Sequence, residues 1–153
     1  MEKLSRYLYF IVCFVFFLFV NSYMSNMIVA ELANGLKFSN SVLTLTYIKN
    51  TGAAFSIMQN SRELLIILSV VALTLIFLYL INHIKSLSMK YLFFTALLCA
   101  GIAGNLHERI HYGYVRDFFE LNFINFPVFN ISDIFINIGV IALIILILIK
   151  KTK

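Results

Sequence analysis

The sequence predicts a mainly α, polytopic membrane protein in which four transmembrane helices carry a small extracytoplasmic β-structure. Three observations lead there. Hydrophobic residues fill 61% of the 153 positions and charged residues 12%, and the mean hydropathy of +0.94 lies far outside the range of soluble domains. Four stretches are long and apolar enough to cross a hydrocarbon core, which takes about 20 residues: Leu8 to Ala30, Leu64 to Ile84, Tyr91 to Leu106 and Ile131 to Ile149. The basic residues, finally, sort by side. Lys3, Arg6, Lys85, Lys90, Lys150, Lys151 and Lys153 flank the spans on one face with Glu2 as their only acid, whereas Lys37, Lys49, Arg62, Arg109 and Arg116 are mixed with the other six acids. The positive-inside rule then puts both termini and the short link between spans two and three in the cytoplasm. A net charge of +5 dispersed in this way forms no patch for nucleic acid, and no nucleic-acid partner is expected.

The first span opens with MEKLSRYLYFIVCFVFFLFV, which has the basic and apolar regions of a secretory leader. Its apolar run is too long, and no small-x-small cleavage site follows, so it reads as a retained helix. Cys13 and Cys99 fall inside spans, where a thiol behaves as a small hydrophobe, and supply neither a disulfide framework nor a CxxC pair. Between spans one and two, VLTLTYI (42–48) is rich in β-branched residues with partial alternation and predicts a short strand or hairpin on the outer surface. KNTGAAFSIMQN follows, where Gly52 and two alanines permit close approach of backbone to a bound chain. In span three, Ala96, Ala100 and Gly104 recur every fourth residue, a small-residue stripe for close helix packing. Asn105 and Arg109, one turn apart, follow it, as a polar clamp between helices or as an arginine that orients a carboxylate. From about His107 to Asn130 the chain is polar and aromatic, with its single proline at 127, and reads as an external loop suited to chemistry. There are no internal repeats, and residues 1–153 are expected to form one membrane-embedded domain.

Three features bear on chemistry. HERIH (107–111) fits H-E-x-x-H, in which two histidines one helical turn apart ligate zinc and the glutamate is the general base. The pattern has three fixed positions and lacks an evident third ligand, Asp117 and Glu120 being the nearest. Span four opens ISDIFINIG, and an aspartate costs about 2.5–3.5 kcal/mol at the centre of a membrane helix, less near its end. Asn130, Asp133 and Asn137 share one helical face, which turns them inward; equally, Asn130, Ser132 and Asp133 are all good residues to cap the helix. Asp117 is flanked by aromatics, and the flexible stretch between it and Asp133 lets the two converge above the membrane. Two carboxylates held close cannot both ionise easily, so one keeps a proton, the arrangement with which aspartic proteases activate water.

In their order along nearly the whole chain these pieces resemble the lipoprotein signal peptidase (signal peptidase II) family. KNTGAAFS (49–56) is similar to that family's N-x-G-A-A-F-S box, GNLHERIHYGYVRDF (104–118) to G-N-x-x-D-R…G-x-V-x-D-F, and FNISDIFINIG (129–139) to F-N-x-A-D…G. The resemblance implies an aspartic endopeptidase that cleaves bacterial prolipoproteins before a diacylglyceryl-modified cysteine, with Asp117 and Asp133 as catalytic dyad and no metal or cofactor. It implies that Asn50 and Gly52 belong to a substrate-holding outer region and that Asn105, Arg109 and Asn130 support the site. It further implies four helices with a small β-structure and an interfacial helix, in the bacterial cytoplasmic (inner) membrane, the site near the outer face. The partners are then lipid-modified prolipoproteins and membrane lipid, and the protein is expected to work as a monomer. HERIH becomes local variation in the G-N-x-x-D-R box, with Glu108 in the place of its aspartate, a methylene longer and able to shift the geometry around Arg109. Two other departures are NSYMS (21–25), with Asn21 and Ser25 where the family has an acid and a lysine, and Ser132 in place of alanine. The neutral pair in span one keeps the spacing for a hydrogen bond at i, i+4.

Two alternatives stand beside this reading. A non-catalytic relative that binds lipoproteins would keep Asn50, Asn105 and Arg109 and be indifferent to Asp133→Asn. A small transporter would line an ion path with Asp133 and Asn137, but the sequence has neither inverted-repeat symmetry nor interrupted helices.

Overall fold

A computed structural model describes residues 2–52, 59 and 61–151, the last two by backbone alone. Within them the order is α1 (Lys3–Ala33), β1 (Leu43–Asn50), α2 (Arg62–His83), α3 (Met89–Tyr112), β2 (Val115–Leu121) and α4 (Ile131–Lys151). All four helices are long and apolar enough to span a membrane, as expected, though α3 runs six residues past the predicted end at Leu106. HERIH therefore lies on a helix and not in an external loop. The extension is polar because it rises beyond the apolar stretch while still packing on its neighbours. Ala53 to Ser56, the end of the first motif, and Lys153 lie outside the described residues.

α3 is the centre of the bundle. In its most apolar stretch 44% of residues are buried, against 11% to 22% in α1, α2 and α4, whose outward faces are predominantly apolar. That pattern suits helices solvated by lipid, where close packing and not water exclusion drives association. Ala96 and Ala100 are fully buried, and the stripe they begin ends at Gly104, where a Cβ would collide with Asn21 Nδ2 of α1 and Ser132 Oγ of α4. A Cβ on Gly101 would stand 2.6 Å from the Ser132 carbonyl oxygen, and one on Gly139 2.8 Å from Leu98 Cβ. Glycines on both faces thus bring α3 and α4 together at backbone distance. Phe17 fills the space between α1, α3 and α4, its ring centroid 5.1 Å from Phe93 and 5.7 Å from Phe135. At the end that bears the termini, Arg6 donates to the carbonyls of Ile84 and Leu87 and fastens α1 to the α2–α3 turn.

At the other end, β1 pairs antiparallel with β2, from Leu43 opposite Leu121 to Asn50 opposite Val115, with a bulge between Leu45 and Ile48. VLTLTYI does form a strand, but its partner is some 70 residues away in sequence, so a local hairpin is not its main pairing. Gly113, at φ +86°, ends α3 in the left-handed conformation and turns the chain straight into β2. Asp117 is consequently fixed in a strand, within the stretch from about His107 to Asn130 that the sequence suggested as an external loop. Beyond β2 the chain doubles back: Phe118 N and Phe119 N both donate to Phe129 O, and Phe129 N donates to Phe119 O. This return sets Asn130 beside Asp117 just as α4 begins.

Candidate active site

Asp117 is 2% exposed. Its Oδ2 accepts 2.8 Å from Asn50 Nδ2 and its Oδ1 accepts 2.7 Å from Asn130 Nδ2. Asp133, in the first turn of α4, accepts 2.9 Å from Asn105 Nδ2 at Oδ1 and 3.1 Å from the Asn130 backbone N–H at Oδ2. Asn130 is the bridge between them. Its side chain donates to one aspartate, while its Oδ1 accepts 3.0 Å from the backbone N–H of the other. The Asn130–Asp133 exchange is a reciprocal capping box, each side chain accepting from the other's main chain. The capping reading is realised, and Asp133 caps with one oxygen while its other accepts from Asn105. A further bond, Asn130 Nδ2 to Asn105 Oδ1 at 3.1 Å, closes the network.

The network holds the two carboxyls at one cavity of about 530 Å³, lined at its polar end by Asn50, Asn105, Arg109, Asp117 and Asp133 and elsewhere by apolar side chains such as Leu121, Phe126, Pro127 and Ile134. Burial pushes the Asp117 pKa up to about 7, and the charge of Asp133 adds to the rise. The bonds from Asn50 and Asn130 and the positive field of Arg109 hold it from going higher. The rise brings the titration of this carboxyl toward neutral pH, where an acid–base pair needs it.

Arg109 is buried but pairs with neither aspartate. Its Nη2 donates 2.9 Å to the Gly52 carbonyl and its Nη1 3.4 Å to Asn105 O, so it acts on the acids through its field and anchors the segment after β1. Gly52 stands at that anchor, its own N–H donating 2.9 Å to Asn50 Oδ1. Asn50 hydrogen-bonds the Asp117 carboxylate directly. Asn137 bonds back to the Asp133 carbonyl at 2.9 Å and is exposed, so the inward face of i, i+3, i+7 holds for the first two members and not the third.

Glu108 turns away from Arg109. It binds Arg116 at 2.5 Å, accepts the Arg116 backbone N–H at 2.9 Å, and so rivets α3 to β2, with Asn26 of α1 accepting from the same guanidinium at 2.9 Å. Its extra methylene reaches across to the strand and does not disturb Arg109. His107 and His111 stack on the exposed face of α3, ring centroids 5.6 Å apart, and among the described residues no three His, Cys, Asp or Glu side chains gather as a metal would require. Asn21 does not bond Ser25 across the turn. It donates 2.7 Å to Ser132 Oγ, so two of the departures compensate one another between α1 and α4. Sequence reasoning missed two contacts: the Glu108–Arg116 rivet, hinted at by opposite charges either side of the Gly113 turn, and Arg62, whose guanidinium donates to the carbonyls of Arg109 and Ile110 at the end of α3. Nothing local in the chain signals the second.

Fold and site together define a class: a polytopic membrane protein with two carboxyls gathered at a cavity where its helices meet a small sheet. Residues 10–149 match the family model for signal peptidase (SPase) II. A lipoprotein signal peptidase of Lactococcus lactis subsp. lactis (strain IL1403) is 40% identical over 131 residues, 84% of this chain and 86% of that one. Another, from Caldicellulosiruptor bescii, is 46% identical over 107 residues, 70% and 68% of the two chains. A bacterial membrane enzyme solved by the in meso method at 2.3 Å resolution superposes with a TM-score of 0.79 at 31% identity, covering 94% of this chain and 89% of that one. The chain belongs to the signal peptidase II family and is a membrane-embedded peptidase.

Proposed function

We propose that the protein is an aspartic endopeptidase that removes the signal peptide of bacterial prolipoproteins, cutting before the diacylglyceryl-modified cysteine, with Asp117 and Asp133 as the dyad. The observation that carries this is Asn130, which hydrogen-bonds both aspartates and holds them at one cavity. In the mechanism the dyad shares one proton. The ionised member takes a proton from a water whose oxygen attacks the scissile carbonyl, while the neutral member gives its proton to the carbonyl oxygen, forming a gem-diol without a covalent enzyme intermediate. Collapse returns a hydroxyl proton to one aspartate as the other protonates the departing amine, and the C–N bond breaks. Asn50, Asn105 and Asn130 orient the carboxyls. Arg109 and Gly52 fix the chain beside them, and the apolar wall takes the substrate's lipid.

The charge asymmetry supports a cytoplasmic-membrane protein with both termini inside and the site near the outer face. Residues 1–153 then act as one peptidase domain, working as a monomer. The test is cleavage of a diacylglyceryl-modified lipobox peptide by purified protein in detergent with excess chelator. Wild type is expected to cut, and Asp117→Asn and Asp133→Asn each to fall by at least about a thousandfold. Retained cleavage in Asp133→Asn, or peptide binding without cleavage by wild type, would overturn the dyad.

A further inference from the structure

Among the described side chains of α4, the chemistry above leaves one polar group without a task. Asn137 stands one turn from Asp133, about 6 Å along the axis, on a helix otherwise apolar from Ile134 to Ile149 apart from Gly139 and Ala142. It is exposed at the protein surface and lines the same cavity as the dyad. One amide hydrogen goes to the Asp133 carbonyl at 2.9 Å. Nδ2 carries a second hydrogen, and no protein group among the described residues takes it or donates to Oδ1. The cavity's other two asparagines, Asn50 and Asn105, bond Asp117 and Asp133, whereas Asn137 is set among Ile134, Ile136 and Ile138. An amide facing hydrocarbon is unfavourable unless something hydrogen-bonds it. A bound lipid with a polar atom at that depth would do so.

We propose that Asn137 is a specificity-determining residue that donates its free N–H to an ester carbonyl of the substrate's diacylglyceryl group. The inference rests on the prolipoprotein reading. In such a substrate the glyceryl esters lie a few bonds from the scissile amide through the cysteine thioether, within reach of a donor one helical turn from the dyad. The acyl chains beyond them lie against the apolar wall. Asn137 thus distinguishes an ester-linked lipid from any chain of equal hydrophobicity that lacks the carbonyl.

The test uses two lipobox peptides of one sequence, with diacylglyceryl-cysteine or with dialkylglyceryl-cysteine of equal chain length, and compares kcat/KM for the full-length protein in detergent. Wild type is expected to favour the ester substrate by about three- to tenfold, the size of one hydrogen bond. Asn137→Leu and Asn137→Ala bring that ratio to about one, and Asn137→Gln, which keeps the amide, recovers part of it. Equal rates in wild type, or a full preference surviving in both Asn137→Leu and Asn137→Ala, overturn the assignment. If wild type cuts neither peptide, the prolipoprotein reading fails and this inference with it; cleavage of both without preference sinks the inference alone.

Discussion

Replacing Asn50 by leucine removes one of the two side-chain bonds to the Asp117 carboxylate and nearly preserves the shape of the residue. The bond is 2.8 Å long and ends on a group 2% exposed. A hydrogen bond to a charged group contributes about 1.5–3 kcal/mol, and one pKa unit is 1.36 kcal/mol. The bond favours the ionised form, so its loss raises the Asp117 pKa by about one to two units. Starting from about 7, the alkaline limb of the kcat/KM profile moves to about pH 8–9, because the dyad keeps its shared proton to higher pH. The limb belongs to the pair, so its displacement and not its absolute position is the readout. The assay is cleavage of a fixed diacylglyceryl peptide between pH 5 and 10 by wild type, Asn50→Leu and Thr44→Val. Thr44 lies on the same strand but bonds Ser39 and Asn122, away from the site, and its substitution leaves the limb in place. An unmoved limb in Asn50→Leu, or one displaced to lower pH, would refute the claim that Asn50 sets the acidity of the dyad.

Other perturbations read other parts of the structure. Because burial raises the Asp117 pKa above its unfolded value of about 3.9, the folded state binds the extra proton between the two values, and stability falls as pH rises from about 4 to about 7 and then levels. Thermal melts of Asp117→Asn lose that slope, and a slope of wild-type size in the variant counts against it. Gly104→Val drives side-chain atoms into Asn21 and Ser132 and is expected to cost about 1–3 kcal/mol, read as a lower melting temperature in detergent. Glu108→Gln leaves the Arg116 guanidinium, 10% exposed, without its countercharge and costs about 3 kcal/mol, whereas the exchange Glu108→Arg with Arg116→Glu restores part of it. If single and double variants melt alike, the pair is not the rivet between α3 and β2.

Much of this protein was legible in its order of residues. Hydrocarbon demands long apolar helices, so the spans are written locally. The resemblance of three motifs to the signal peptidase II family likewise pointed to Asp117, Asp133, Asn50, Gly52, Asn105, Arg109 and Asn130. What sequence did not settle were relations between distant segments: that β1 takes β2 as its partner, that Arg109 holds a carbonyl and not a carboxylate, that Glu108 serves Arg116, and that Asn21 answers Ser132. Side-chain type states what a residue is able to bond. Which partner stands within 3 Å depends on the Gly113 turn, the return of Phe129 along β2 and the glycine-permitted approach of α4 to α3. Those are tertiary facts, fixed by packing the whole chain at once, and they decide where Asp117 and Asp133 stand and which groups hydrogen-bond them.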